Sequence, residues 1–164
     1  MTTLIKERCV IGFDPGIGRL GYSVLSGSLS HPKIITFGCW KTNPQHSQAD
    51  RLLELGRLLE KFLAKYKPTD VAVEKLFFSK NVKTALVVSE ARGLIIYLAK
   101  KNNHHLTEFS PQELKLAATG QGNATKQQVQ KMLQIIFKLS APPQPDDAAD
   151  ALALALCAFT VRPR

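Results

Sequence analysis

Long hydrophobic runs and paired cysteines are missing from this sequence of 164 residues. No stretch reaches the roughly 18 consecutive apolar residues that a membrane-spanning helix requires, and the amino terminus has no apolar segment typical of a signal peptide. The three cysteines, Cys9, Cys39 and Cys157, form no C-x-x-C pair. An odd, scattered set of this kind is typical of reduced thiols, so we expect a cytoplasmic protein with no membrane segment.

Acidic side chains are also fewer than basic ones. Lysine and arginine number 22 against 13 aspartates and glutamates, which gives a formal net charge of +9. This balance indicates a polyanionic partner, and because no basic amphipathic helix stands out, nucleic acid is favoured over a membrane surface. The sequence has no internal repeat, low-complexity tail or domain boundary, so we expect residues 1–164 to form a single domain with a full core.

The spacing of apolar residues predicts a mixed α/β fold. Three β-rich runs lie close together near the amino terminus and favour an antiparallel meander. An amphipathic helix, a strand that is apolar on both faces and therefore central, a long helix and a fifth strand follow, and helices occupy the rest. This order predicts a five-stranded mixed sheet flanked by helices. The predicted strands are 9–14, 20–25, 33–40, 69–75 and 104–109, and the predicted helices are 47–66, 81–101, one capped by Ser110, 125–139 and a final helix that begins near Pro145.

The final helix carries acidic side chains at the start of an apolar segment. Pro145 and Asp146 are typical of a helix start, and the run over 148–159 is apolar nearly all round, which predicts a buried helix. Asp147 and Asp150 are three residues apart and therefore lie on one face. Capping explains Asp146 and could explain Asp147, whereas Asp150 needs a positive partner, for which a divalent metal ion is the simplest choice.

Two further acids end predicted buried strands. Asp14 directly precedes a turn, which it could simply cap, whereas Glu74 ends the central strand and has no obvious structural purpose. If these two strands are neighbours, both side chains emerge at one sheet edge, where the final helix can add Asp147 and Asp150. Four converging carboxylates in a basic protein predict a site for two divalent ions. Such a pair of ions suits phosphodiester hydrolysis, because it activates water and stabilises the attacking and leaving oxygens.

One glycine pattern is interpreted as a turn. The residues from Gly16 to Gly21 match G-x-G-x-x-G after a strand. A dinucleotide site would require a helix to begin there and an acid about 20 residues later. The glycines lead instead into a second β-rich run, and the next acid after Asp14 is Asp50. The pattern therefore favours a turn between strands over a cofactor site.

Basic side chains flank the acidic positions in the sequence. Three lysines follow Glu74, and two flank a small, glycine-containing segment in which the backbone can approach phosphate closely. Each alone is typical of solvated surface, but together they could hold a sugar-phosphate backbone and make binding steeply salt-dependent. Two aromatic side chains, Phe77 and Phe78, lie just beyond the central strand; one could belong to the core, and the other, if exposed, could stack on or wedge between bases. The five lysines are Lys75, Lys80, Lys83, Lys115 and Lys126.

Five motifs occur along the chain: Ile11-Gly-Phe-Asp-Pro-Gly16, Val73-Glu-Lys-Leu-Phe77, Ala91-Arg-Gly93, Thr119-Gly-Gln-Gly-Asn-Ala124 and Asp147-Ala-Ala-Asp-Ala-Leu-Ala153. In order and spacing they resemble the RuvC family of bacterial Holliday junction resolvases. The resemblance runs from about residue 9 to about residue 158. It implies a ribonuclease H-like fold and Mg²⁺-dependent cutting of two opposed strands at a four-way DNA junction, in recombination and repair.

The resemblance also implies roles for the acids. Asp14, Glu74, Asp147 and Asp150 match the family's four catalytic carboxylates, which implies two Mg²⁺ ions per active site, with Mn²⁺ as the alternative ion. Some family members have a single Asp before Ala-Ala-Asp, whereas this chain has two in succession. The three-residue spacing favours Asp147 as the ligand, and we expect Asp146 to be the helix cap.

The same resemblance implies how DNA is held. Phe77 matches the aromatic residue that the family places against junction bases. Lys115 and Lys126 match its basic residues near the scissile phosphate, so Lys126 is predicted to contribute to catalysis as well as to DNA binding. Lys80 and Lys83 are predicted to add contacts with the DNA backbone.

Three partners are implied: four-way junction DNA, a second copy of the chain in a homodimer, and a branch-migration helicase complex. We expect the dimer face to include the helix over 81–101, with its apolar run 86–88 and the pair Arg92 and Gly93. The implied location is the bacterial cytoplasm, in association with the nucleoid.

Other functions fit parts of the pattern. Another ribonuclease H-like nuclease, acting on RNA or on an RNA–DNA hybrid, would use the same acids, and preferential cutting of a hybrid would identify it. An actin-like ATPase or sugar kinase also begins with strand-Asp-x-Gly, but it needs two lobes and 164 residues hold one. ATP binding would identify that class. A non-catalytic junction-binding module would bind a junction and fail to cut it when Mg²⁺ is added.

Overall fold

The computed structural model describes residues 8–28, 31–76 and 82–161, without the side chains of 82–84. Every element predicted from the sequence is present in these residues, and no helix among them has the length and apolarity needed to cross a membrane. The strands are β1 (Arg8–Asp14), β2 (Arg19–Ser28), β3 (His31–Lys41), β4 (Asp70–Glu74) and β5 (His105–Phe109), and the helices are α1 (Gln48–Tyr66), α2 (Val82–Lys101), α3 (Pro111–Thr119), α4 (Lys126–Ile136) and α5 (Asp146–Thr160).

The strands form one sheet in the order β3-β2-β1-β4-β5. The first three pair antiparallel, which confirms the predicted meander, and β4 and β5 extend the sheet parallel to β1. The predicted five-stranded mixed sheet is thus confirmed. The glycine segment after Asp14 is a turn that leads from β1 into β2, as its pattern predicted. Because β1 and β4 are parallel neighbours, their carboxyl ends meet at one edge of the sheet.

Helices cover both faces of the sheet. On one face, α1 and α2 pack over Ile11, Phe13 and Val71. On the other face, α3, α4 and α5 pack over Val10 and Ala72. Side chains of a strand alternate between its faces, and both faces are buried here. This explains why β1 and β4 read as continuous apolar runs in the sequence.

The most deeply buried helix, α5, lies across β1 and β2, and small residues on these strands let its backbone approach closely. A Cβ atom on Gly12 would lie 2.1 Å from the carbonyl oxygen of Ala151, and one on Gly21 would lie 1.9 Å from that of Asp147. The Oγ of Ser23 donates a hydrogen bond to the carbonyl oxygen of Ala151 at 2.7 Å. The sheet therefore determines how closely α5 approaches it and which residues of α5 contact β1 and β2.

Local signals decide where most of the helices begin and end. Ser47, Ser110 and Thr125 cap α1, α3 and α4 with side-chain hydrogen bonds, and the last two form complete capping boxes. The predicted helix over 125–139 ends earlier, at Ile136. Lys138 adopts a left-handed backbone conformation with φ 53°, which cannot continue a right-handed helix.

Candidate active site

Asp14 and Glu74 stand side by side at the carboxyl ends of β1 and β4. The two strands pair in parallel with Phe13 opposite Val73, so the residue that follows on each strand leaves the sheet at the same edge. Asp14 is two residues beyond Gly12 and therefore faces the side of the sheet that α5 covers. The first and fourth strands are thus sheet neighbours, which is the condition on which the convergence of these two acids depended.

A cavity of about 140 Å³ lies where α3, α4 and α5 meet this sheet edge. Asp14, Glu74 and Asp150 line it, together with Lys115 from α3 and Lys126 from the first turn of α4. Five residues that the sequence predicted for the site are thus brought into one cavity. The remaining lining is apolar apart from the backbone, which lowers the local dielectric constant and strengthens the interactions between the charges.

Asp147 lies beside this cavity, on the side of the β1–β2 turn. Its carboxylate lies 2.7 Å from the guanidinium of Arg19 and 3.8 Å from the Sγ of Cys39. Neither partner was predicted from the sequence. The position of Arg19, in the glycine segment just after Asp14, was a weak signal for it. Cys39 had none, because it reaches the site only through the pairing of β3 with β2, which sets it opposite Gly21.

Burial and crowding raise the pKa values of the acids in the cavity. Burial raises the pKa of Asp14 from 3.8 to about 8, and the next cause is the negative charge of its neighbours, Asp150 first. Burial is also the main cause that raises the pKa of Glu74 and of Asp150. Carboxyl groups that resist ionisation together in one cavity mark a place that favours positive charge.

Lys126 supplies one positive charge at this place. Its ammonium lies 2.8 Å from the carboxylate of Asp150 and 3.4 Å from that of Asp146. Partial burial opposes the charge on Lys126, but the hydrogen bond to Asp150 and the negative charges of Asp150 and Asp146 together outweigh it, so the pKa of the lysine is raised. The ammonium of Lys126 is therefore held in the lining of the acidic cavity.

Asp146 is not the helix cap that the sequence predicted. Pro145 occupies the N-cap position without a side-chain hydrogen bond, and Asp146 is already the first helical residue. An N-cap side chain reaches the free N–H groups because its own backbone is extended, and a helical Asp146 has lost that geometry. Its carboxylate turns toward α4, where it accepts a hydrogen bond from Nε2 of Gln130 at 2.9 Å.

The chemistry of the site fits a hard divalent cation. Carboxylate oxygens are the ligands that Mg²⁺ uses in proteins, and the raised pKa values in the cavity show that added positive charge would be stabilised. Within the described residues, however, no three His, Cys, Asp or Glu side chains are grouped as a ready-made metal site. Two of the acids already have cationic partners, because Lys126 pairs with Asp150 and Arg19 pairs with Asp147. A metal ion would compete with these side chains for the two carboxylates.

In the metal-free protein, the free energy of unfolding should fall by a few kcal/mol as the pH rises from about 4 to about 8. The folded chain keeps a proton on Asp14 across this interval, whereas the unfolded chain releases it near its ordinary pKa of 3.8. The folded state therefore binds more protons, and raising the pH destabilises it. Urea titrations in EDTA at about pH 5 and about pH 8 measure the difference.

Two comparisons test the origin of this pH dependence. Asp14→Asn should reduce it, because the substituted side chain does not titrate, and the raised pKa values of Glu74 and Asp150 should leave a smaller dependence of the same sign. Added Mg²⁺ should restore stability at the higher pH, since a cation that binds only the folded chain stabilises it. A wild-type stability that stays level or rises over the interval would contradict the raised pKa of Asp14.

Three predicted DNA contacts cannot be located in the fold. Phe77 and Lys80 lie outside the described residues. Lys83 belongs to the first turn of α2, but its side chain is outside the described part of the chain. Their roles stay predictions.

Arg92, which was expected at a dimer face, is directed to the sheet instead. Its Nε donates a hydrogen bond to the carbonyl oxygen of Glu74 at 3.0 Å, and its guanidinium forms an ion pair with Glu108. Arg92 follows Ala91, which is fully buried, and its guanidinium reaches both β4 and β5. Only 18% of the side chain is exposed, which leaves little of it for a second chain.

Comparisons with known proteins agree with this geometry. The family model described as "Crossover junction endodeoxyribonuclease RuvC" matches residues 10–158. A relative of that name from Pseudothermotoga lettingae is 44% identical over 153 residues, which are 93% of this chain and 94% of the relative. The structure titled "T. thermophilus RuvC in complex with Holliday junction substrate" has a TM-score of 0.82 at 30% identity and covers 93% of both chains.

A more distant structure supports the fold alone. The yeast mitochondrial Holliday junction resolvase Ydc2 has a TM-score of 0.63 at 19% identity, covering 92% of this chain and 78% of the other. Together with the closer match, it confirms the ribonuclease H-like fold that the sequence motifs implied.

Proposed function

Because the chain belongs to the RuvC family of crossover junction endodeoxyribonucleases, we propose that it resolves four-way DNA junctions by metal-assisted hydrolysis of phosphodiester bonds. The observation that carries the proposal is the convergence of Asp14, Glu74 and Asp150 in one cavity, with Asp147 beside it. The family matches most of the chain, so residues 1–164 are proposed to act as one nuclease domain.

Asp14, Glu74, Asp147 and Asp150 are the proposed ligands of two Mg²⁺ ions. Such ions, when bound, stabilise charge on the scissile phosphate and lower the pKa of water. The chain's own contribution is placement, because two of the carboxylates stand at strand ends and two on the first turns of a buried helix. Burial and mutual repulsion, which together raise the pKa of Asp14, make the site receptive to cations.

The basic residues are proposed to hold the DNA backbone. Lys115 and Lys126 line the acidic cavity, where each can reach a phosphate oxygen at the proposed point of cleavage. In the free protein Lys126 neutralises Asp150, and a bound phosphate would give its ammonium a second anion. Phe77, Lys80 and Lys83 are proposed to contact bases and phosphates beyond the cavity. The net charge of +9 supports binding that weakens steeply as salt is added.

Lys126→Ala should lower the cleavage rate by about a hundred-fold, the typical cost of removing one donor that stabilises charge in a transition state. The fold should survive, because the ion pairs of Lys126 are half-exposed and each is worth at most about 1 kcal/mol. Single-turnover cleavage and thermal unfolding measure the two effects. Lys131→Ala is the matched control, because Lys131 lies on the same helix and, among the described residues, bonds to Gln134 alone; it should cleave at the wild-type rate. A large fall in melting temperature for Lys126→Ala would indicate a structural role instead.

The alternative substrate is RNA or an RNA–DNA hybrid. The relatives are named for crossover junctions and for DNA, which favours the junction. The test is cleavage of a synthetic four-way junction with Mg²⁺ or with EDTA, in the presence of duplex and hybrid competitors. We expect paired nicks in opposed strands, in Mg²⁺ only. Preferential cutting of the hybrid would reject the proposed substrate, and binding without cutting would reject the enzyme.

Cutting two opposed strands requires two active sites, which supports a homodimer. An apolar groove runs between α1 and α2, and within it Leu53 is 53% exposed and Tyr97 59% exposed. Exposed apolar surface of this kind is typical of interfaces, so α2 is proposed to meet a second copy there, without Arg92. Sedimentation equilibrium that gives a monomer mass at assay concentration would contradict the dimer. A branch-migration helicase complex as partner, and the nucleoid of a bacterial cell as location, complete the proposal.

A further inference from the structure

The Ala91-Arg-Gly93 motif of α2 is not explained by metal binding or DNA contact. Its arginine reaches the end of β4 from the face of the sheet that α2 covers, opposite the acidic cavity. Nε of Arg92 donates to the carbonyl oxygen of Glu74 at 3.0 Å. The same guanidinium forms an ion pair with Glu108 on β5. Glu108 lies opposite Val73 in the parallel pairing of β4 with β5, so one arginine holds the ends of both strands.

The end of β4 is a place where such a contact matters. Glu74 is the last residue of a strand of only five residues, and the ends of elements open more readily than their middles. A planar guanidinium can direct two N–H groups at fixed angles, which restrains position as well as distance. With its carbonyl oxygen held from the α2 side, the backbone of Glu74 has a defined orientation. Its side chain then enters the cavity on the opposite side.

We infer that Arg92 is a positioning residue, which acts through the backbone of Glu74 to hold that carboxylate in place for the divalent ions. The inference rests on the proposed function, because it assigns Arg92 a role toward the proposed metal site. Arg92 itself contacts neither DNA nor metal. Partners one step removed from a metal ligand typically change metal affinity by about ten- to a hundred-fold when they are replaced.

A second arginine provides a matched control on the same pair of strands. Arg8 forms an ion pair with Asp70 at 3.1 Å, at the opposite end of β1 and β4 from the acids. Its side chain is 19% exposed, against 18% for Arg92. Arg8 also donates to carbonyl oxygens at the end of α5. Arg8→Gln therefore removes structural contacts at least as extensive as those of Arg92, far from the proposed metal site.

The experiment measures the melting temperature of wild type, Arg92→Gln and Arg8→Gln over a range of Mn²⁺ concentrations without DNA. We expect Arg92→Gln to need about ten-fold more metal for half of the stabilisation. Arg8→Gln should lower the melting temperature in EDTA and leave the metal midpoint within about two-fold of wild type. Junction cleavage at a metal concentration below saturation should fall about ten-fold for Arg92→Gln and recover partly when more metal is added.

Two further variants separate the backbone contact from the ion pair. Glu108→Gln breaks the ion pair but leaves the bond from Arg92 to Glu74, so its metal midpoint should stay close to wild type. Arg92→Lys keeps one donor and should restore part of the lost affinity. An Arg92→Gln midpoint equal to wild type, or an equal shift in Glu108→Gln, would overturn the inference. If wild type neither gains stability from metal nor cuts a junction, the proposed function fails instead.

Discussion

Asp14→Asn should lower the rate of junction cleavage by at least about a thousand-fold and leave junction binding nearly unchanged. Metal ions contribute several kcal/mol of transition-state stabilisation, and each 1.36 kcal/mol is a factor of ten in rate. Asp14 is the acid to replace because its pKa responds to the charges of all three other acids, so it lies at the centre of the cluster. Binding should persist, since lysines rather than acids are the proposed contacts with phosphate.

Single-turnover cleavage and an electrophoretic binding assay with the same junction separate the two effects. Glu54→Gln is the control for charge, because Glu54 lies on α1, 3.8 Å from His46, and lines neither the acidic cavity nor the groove between α1 and α2. It should bind and cut like wild type. Glu74→Gln should behave like Asp14→Asn. If either acid variant in the cavity cuts at near wild-type rate, the assignment of the metal ligands is wrong.

Gly21→Ala should abolish cleavage and destabilise the fold by about 3 kcal/mol, because it forces the start of α5 away from the sheet. A Cβ atom on Gly21 would lie 1.9 Å from the carbonyl oxygen of Asp147 and 3.2 Å from Cβ of Asp14. Backbone cannot yield as a flexible side chain does, and overpacking of this kind typically costs about 1–3 kcal/mol or somewhat more. The displaced segment contains two of the proposed metal ligands, so the cleavage rate should fall by more than the loss of folded protein alone explains.

Gly18→Ala is the matched control, in the same glycine segment and with the same added methyl group. The nearest atom to a Cβ on Gly18 is the guanidinium end of Arg51 at 2.9 Å, and that flexible end can move. We expect a change in unfolding free energy of less than about 1 kcal/mol and near wild-type cleavage. Urea titration and single-turnover cleavage compare the two. A Gly21→Ala protein as stable and active as Gly18→Ala would contradict the close contact between α5 and β2.

Most of the elements could be predicted because their causes are local. The period of apolar residues marked α1, and the capping boxes of Ser110 and Thr125 marked the starts of α3 and α4. The errors also have local causes. The early end of α4 follows from the backbone of Lys138, and Asp146 was misassigned because Pro145 and Asp146 compete for the same N-cap position.

The acids themselves could be found because a carboxylate is unusual at either end of an apolar segment. Asp14 and Glu74 each close such a segment, and Asp150 stands near the start of one. Two arginines at the site could not be found. Arg19 reaches the carboxylate of Asp147, and Arg92 reaches the backbone carbonyl of Glu74, only through the packing of separate elements. A positive side chain on the surface of a helix or turn has the same local pattern whether it meets solvent or an acid.

The sequence by itself determined the element order, the buried character of α5, the excess of positive charge and the identities of the acids, because periodicity and composition are properties of short segments. Only the tertiary structure decided that three acids share one cavity, that Lys126 and Arg19 neutralise two of the four proposed ligands, and that α2 holds the end of β4. The depth of α5 depends on atoms of β1 and β2 that are more than a hundred residues away, as Ser23 and Ala151 show. Contacts of that range follow from the packing of whole elements, which no local pattern specifies.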